Sequence, residues 1–175
     1  GERATTRIFR TPNMRPSALK QPIEFQLGGS TPGANPAGGG VAGRGVAAPS
    51  RLQWKERRDL FAEGVASGDP DSHSVLLWTR VSNAGTAPSV ALTVEVAADN
   101  GFKKVVATAK TEALLAADHT GRVLLGGLEP SKIYWYRFVL ENGDGSRIGR
   151  TRTAPADDDG RPIAFAFVSC QNIVE

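Results

Sequence analysis

The feature that most limits what this chain can fold into is a series of short β-type runs, separated by turn chemistry at intervals of about 8 to 12 residues, that begins after Phe61. Residues 74–81 (SVLLWTRV), 90–97 (VALTVEVA), 104–111 (KVVATAKT), 122–125, 133–140 (IYWYRFVL) and 148–153 all read as strands. Between them lie GDPDS, NAGTAPS, ADNGF, AADHTG, GGLEPSK and ENGDGS, each rich in residues that tolerate turn geometry. The Asn142–Gly143–Asp144–Gly145 loop suits a hairpin connection. In VALTVEVA the apolar Val90, Leu92, Val94 and Val96 recur at every second position, so one face is core. Such spacing predicts an all-β antiparallel sandwich over 61–154, with Trp78, Val94, Tyr134 and Phe138 contributing to its core.

The segment 128–138 (LEPSKIYWYRF) sharpens that expectation. It is similar to the E–F corner of immunoglobulin and fibronectin type III-like domains, where a tyrosine hydroxyl bonds back to the corner backbone; by spacing that residue is Tyr134.

Outside the sandwich the texture differs at both ends. Residues 1–60 show no sustained periodicity, and 8 of the 20 glycines, with Pro32 and Pro36, fall between Gly28 and Ala48. That composition cannot repay its ordering entropy by burial, which predicts an extended Gly/Ala-rich N-terminal arm. Residues 51–60 (RLQWKERRDL) are expected as a short basic helix docked through Leu52, Trp54 and Leu60. After the polar break APADDDG, a continuous apolar run, 163–168 (IAFAFV), suits a strand buried on both faces, hence a linker and the first strand of an α/β domain over 155–175.

Charge excludes one class of partner. The net charge of +3 resolves into 10 Lys/Arg against 4 Asp/Glu over 1–60, 9 against 10 over 61–150, and 2 against 4 over 151–175. The basicity therefore belongs to the arm, and the sandwich shows no interleaving of arginine and aromatic residues that would mark a nucleic-acid surface. No apolar run reaches the 18 or so residues of a spanning helix, and the N-terminus has no apolar stretch of the kind an export signal carries.

Few residues offer chemistry. The single cysteine, Cys170, excludes an intrachain disulfide and a paired-cysteine zinc site. With Ser169, Gln171 and Asn172 it stands at the carboxyl end of the IAFAFV strand, where α/β sheets bind ligands, so it is either a buried small hydrophobe or a functional thiol. His73 and His119 lie in turns and read as surface residues; Asp69, Asp71 and His73 could hold a metal through alternating side chains, although Pro70 argues for a rigid turn.

Taken together, 61–80 (FAEGVASGDPDSHSVLLWTR), GLEPSKIYWYRF, 149–155 (GRTRTAP) and 165–172 (FAFVSCQN) closely resemble the start of the PhoD-type alkaline phosphatases and phosphodiesterases, a family that includes metallophosphatase-type phospholipase D enzymes. The resemblance implies an immunoglobulin-like N-terminal domain followed by a metallophosphoesterase domain that holds iron (Fe3+) and calcium and is exported by the twin-arginine route, hence secreted or periplasmic. The SCQ cysteine of that family is an iron ligand, and Cys170 is the matching position. The remaining ligands belong to later motifs, so the chain is expected to be the non-catalytic lobe and first catalytic strand, with a C-terminal metallophosphatase domain or fragment as partner and a phosphate ester as substrate. Two other readings differ in kind. One is a free-standing fibronectin-like binding module, which has no use for the IAFAFV strand; the other is a purple-acid-phosphatase-like enzyme, which does not explain SCQ.

Overall fold

The computed structural model describes residues 9–10 and 47–166. Residues 47–156 belong to one compact unit; residues 9–10 and 157–166 belong to a second.

Alternation of apolar and polar side chains dictates the first unit. After the short strands β1 (Phe9–Arg10) and β2 (Lys55–Glu56) come β3 (Val65–Gly68), β4 (Val75–Arg80), β5 (Ser89–Ala97) and β6 (Val105–Leu114), then β7 (Thr120–Leu125), β8 (Ile133–Val139), β9 (Asp144–Gly145), β10 (Gly149–Arg152) and β11 (Ala164–Phe165). A hydrogen-bonded path runs β2–β9–β8–β5–β6–β7–β4–β3, with β10 also on β8. Between β6 and β7 the ladder is reduced to Leu114 opposite Thr120. There the sheet curls over, so that β3–β4–β7 faces β6–β5–β8–β10 as the two layers of an immunoglobulin-like sandwich.

The inward face of each strand supplies one shared core: Val75 and Leu77 from β4, Leu92, Val94 and Val96 from β5, Ala107, Ala109 and Ala113 from β6, Val123 and Leu125 from β7, and Tyr134, Tyr136 and Phe138 from β8. The layers approach closely where Leu92 meets β7: a Cβ on Gly121 would sit 3.0 Å from Leu92 Cδ1, so a larger residue there requires Leu92 to shift. Tyr136 and Phe138 meet edge to face at 6.4 Å between ring centroids, an arrangement favoured by the ring quadrupoles.

Val94, Tyr134 and Phe138 are buried as their spacing predicts, but Trp78 is not a core residue. On β4 the inward positions go to Val75, Leu77 and Thr79, which places Trp78 on the outer face between Ala66 and Arg122, half-buried. Its size favours a core position; the period of two decides against it. β3 is too short to announce itself in the sequence pattern.

Residues 51–60 form no helix. Instead the chain from Ala48 runs along the outer face of the β6–β5–β8 layer: Ala48 bridges to Val105, Ser50 N donates to Phe102 O at 2.9 Å, and β2 pairs in parallel with β9. Leu52 and Trp54 are two residues apart, a strand period rather than a helical one. Trp54 fits a slot that only glycine leaves open, since a Cβ on Gly145 would lie 2.5 Å from Trp54 Cδ1, and its indole N–H donates to Ser146 O at 3.1 Å.

In the second unit β11 pairs with β1 in antiparallel register, Phe165 opposite Phe9. The apolar run 163–168 is expected from its sequence as a strand buried on both faces. In its described part only Ala164–Phe165 are strand, with Ile163 55% and Phe165 52% exposed. A two-residue ladder offers these side chains no covering layer.

Candidate functional site

Cys170, the residue singled out for chemistry, lies with Ser169, Gln171 and Asn172 outside the described residues. Among the described residues no group of three or more His, Cys, Asp or Glu side chains is placed to hold a metal ion. Polar side chains tie segments of the sandwich together, above all at its exit and on the outer face of β5 and β8.

One such group lies at the end where the chain leaves the sandwich. Asp71 accepts from the backbone N–H of His73 at 3.2 Å and from the Ser72 hydroxyl at 3.1 Å, which closes the turn before β4. Those contacts, the His73 amide foremost, hold the Asp71 carboxyl below the ordinary carboxylate range. Asp71 O accepts from Ala154 N, and His73 O from Leu128 N, both at 3.0 Å. The His73 ring donates through Nδ1 to Leu128 O at 2.8 Å, because a carbonyl can only accept. Asp71 and His73 therefore join three segments, the turn before β4, the corner before β8 and the exit after β10. Asp69, at φ +43°, completes the turn.

The corner itself forms as its sequence predicts. Glu129 N donates to the Tyr134 hydroxyl at 3.0 Å. Thr153 fastens the corner from the other side: its hydroxyl donates to Glu129 O at 2.7 Å and accepts from Lys132 N at 3.0 Å.

His119 departs from its expected place on the surface and is 6% exposed. Asp118 and His119 both have φ near +50°, which turns the imidazole inward, and Nε2 donates to Ala87 O at 2.8 Å.

The assembly on the outer face has no counterpart among the sequence expectations. Glu95 and Arg137 occupy directly opposed outward positions on β5 and β8, yet they are 3% and 6% exposed. Arg137 donates through Nη2 and Nε to Glu95 Oε2 at 2.7 and 3.0 Å. The Ser50 hydroxyl donates to Glu95 Oε1 at 2.7 Å and accepts from Arg137 Nη2 at 2.9 Å. Above and beside the guanidinium lie the rings of Phe102, 4.0 Å from Cζ to centroid, and Trp54, at 5.2 Å. Opposite charges at outward positions of neighbouring strands, with a tryptophan upstream, are the available signal; what hides it is that residues 48–57 cover this face.

Every buried side-chain nitrogen and oxygen among the described residues has a hydrogen-bond partner.

Comparison with known proteins agrees with the sandwich and with the motifs. Residues 45–155 match the family described as "PhoD-like phosphatase, N-terminal domain". Alkaline phosphatase D of Bacillus subtilis (strain 168) is 44% identical over 118 residues, which cover 63% of this chain and 20% of that protein. The solved "Structure of PhoD" superposes with a TM-score of 0.53 at 38% identity, over 62% of this chain and 21% of the other. The chain thus spans about a fifth of the length of these relatives. With the match covering more than half of its residues, the chain belongs to the PhoD-like phosphatase family and carries that family's N-terminal domain.

Proposed function

We propose that this chain is the non-catalytic N-terminal domain, joined to the first strand of the catalytic domain, of a secreted metal-dependent phosphomonoesterase or phosphodiesterase of the alkaline phosphatase or phospholipase D kind. The observation that carries this reading is the family match over residues 45–155, followed after a short polar break by the apolar run and SCQ motif. A sandwich whose buried polar groups are all satisfied suits a supporting role.

In this reading Cys170 is an iron ligand. Its thiolate suits iron, and calcium and the other iron ligands are met by residues beyond the sandwich. Bound metal ions supply positive charge that holds phosphoryl oxygens and an oxygen nucleophile in line. The residues of this chain contribute the rigid exit at Ala154, tied to Asp71, from which the catalytic strand departs. Export by the twin-arginine route to the periplasm or exterior, and a phosphate ester as substrate, complete the reading.

The test is Cys170→Ser in the protein that carries the catalytic domain. Loss of the visible thiolate-to-iron absorption, of bound iron and of most turnover of p-nitrophenyl phosphate is expected. Unchanged iron stoichiometry with full turnover would remove Cys170 from the metal site.

A further inference from the structure

We infer that Asn100 is a self-modification site: its side-chain amide is lost to a cyclic imide with Gly101, and the isoaspartate that follows loosens residues 48–57 from the outer face of the sandwich. Three asparagines lie among the described residues, and two of them are tied down. Asn83 donates through Nδ2 to Asp59 O at 3.1 Å and precedes an alanine. Asn142 precedes Gly143, but its Nδ2 donates to Asp144 Oδ2 at 2.9 Å and its Oδ1 accepts from Asp144 N at 3.0 Å. The Gly143 amide is engaged as well, donating to Leu140 O at 3.0 Å. Asn100 precedes Gly101, both are exposed, and the Asn100 side chain makes no hydrogen bond among the described residues.

The turn from Asp99 to Phe102, closed by Phe102 N on Asp99 O at 3.2 Å, puts Asn100 and Gly101 at its two central positions. Glycine leaves the attacking nitrogen without a side chain beside it. Asp99 accepts from the amides of Lys103, Lys104 and Gly101, that of Lys103 foremost, and these hold its carboxyl below the ordinary range. Lys103 lies alongside, its Cε 3.8 Å from where a Cβ on Gly101 would stand. A cation there favours the nitrogen anion that forms when the Gly101 amide gives its proton to hydroxide. That nitrogen bonds to Asn100 Cγ as the Cγ–Nδ2 bond breaks, and ammonia leaves with a proton from water. Water then opens the imide. Attack at Cγ gives aspartate; attack at the main-chain carbonyl gives isoaspartate, in which the chain runs through Cβ and Cγ and is one carbon longer.

The added carbon acts on Phe102. This residue, at φ +53° and 3% exposed, holds its ring 4.0 Å from the Arg137 guanidinium and accepts from Ser50 N at 2.9 Å. Lys103 N and Lys104 N are fixed to the Asp99 carboxylate at 3.1 and 2.7 Å, so the lengthened turn is taken up at Phe102. Displacement of Phe102 frees Ser50 N and weakens the hold on the segment 48–57.

The experiment incubates the purified chain in mildly alkaline buffer, digests it, and scores each asparagine by the mass gained when NH2 gives way to OH and by isoaspartyl methyltransferase labelling. Asn100 is expected to convert, with isoaspartate the larger product, while Asn142 keeps its amide. Gly101→Ala, whose Cβ would meet Asp99 Oδ1 at 3.2 Å and so needs only a small movement of that carboxylate, tests the attacking nitrogen. It should slow conversion about tenfold, because a Cβ crowds the approach to Cγ. In the converted chain amide exchange at Ser50 should accelerate, with β4 amides unchanged. Asn100→Asp, which has the charge without the added carbon, should exchange as the parent does. No conversion at Asn100, or conversion of Asn142 at the same rate, overturns the site. Unchanged Ser50 exchange in the converted chain, or equal acceleration by Asn100→Asp, overturns the loosening of 48–57.

Discussion

Arg137 and Glu95 are the residues on which the outer face of the sandwich depends. A buried ion pair contributes little net stability against an apolar substitute, but removal of one partner leaves an uncompensated charge. Arg137→Ala should therefore lower the stability of the domain by about 3–5 kcal/mol, read from the urea midpoint, whereas Arg137→Met with Glu95→Leu should recover most of the loss. Equal cost for the single and double changes would contradict this. Tyr136 bears on the alkaline side of the pH dependence. Burial pushes its phenol above the ordinary value, and Ser67, hydrogen-bonded to it, opposes that shift only in part. The folded state thus holds the proton more tightly than the unfolded one. Its contribution is complete below the unfolded pKa, about 10, and is lost as pH rises through the higher folded value. Tyr136→Phe should flatten the fall in stability above about pH 10. Parallel stability–pH curves for the two proteins would show that another group sets the alkaline limit.

At the scale of elements, the segment before β3 behaves as part of the sandwich. Trp54 and Trp78 are both half-buried, but only Trp54 ties one segment to another, through Ser146 and over Arg137. Trp54→Ala should cost about 2–3 kcal/mol and Trp78→Ala about 1–2, below the 3–5 of a fully buried aromatic. The reverse order in a urea titration would mean that residues 48–57 are not held as described. Strands β4 to β8 and β10 are legible in the sequence because alternation and turn residues act locally. The Tyr134 corner is legible for the same reason, its hydrogen bond spanning five residues. What escapes a reading of the sequence depends on distant partners. The Ser50–Glu95–Arg137 assembly joins segments separated by 45 and 87 positions, and no local pattern encodes it. Trp78 is misplaced when its size is weighed above its parity on the strand, and the inward turn of His119 depends on two successive residues in the left-handed region.

For the whole molecule, the division of labour rests on where polar groups go. In the described sandwich they are spent on holding turns, the corner and the outer covering, with none left buried and unpartnered. Among the described residues none forms a three-ligand group. In the proposed reading, chemistry belongs to the catalytic domain and support to the N-terminal domain. The most direct measurement of this division is the hydrolysis of p-nitrophenyl phosphate and its bis ester by the purified 175-residue chain, free of copurifying protein and supplied with iron and calcium. Turnover at the level of the buffer blank is predicted, from a chain that melts cooperatively. Metal-dependent turnover above that blank, abolished by chelation, would contradict the assignment of a non-catalytic domain.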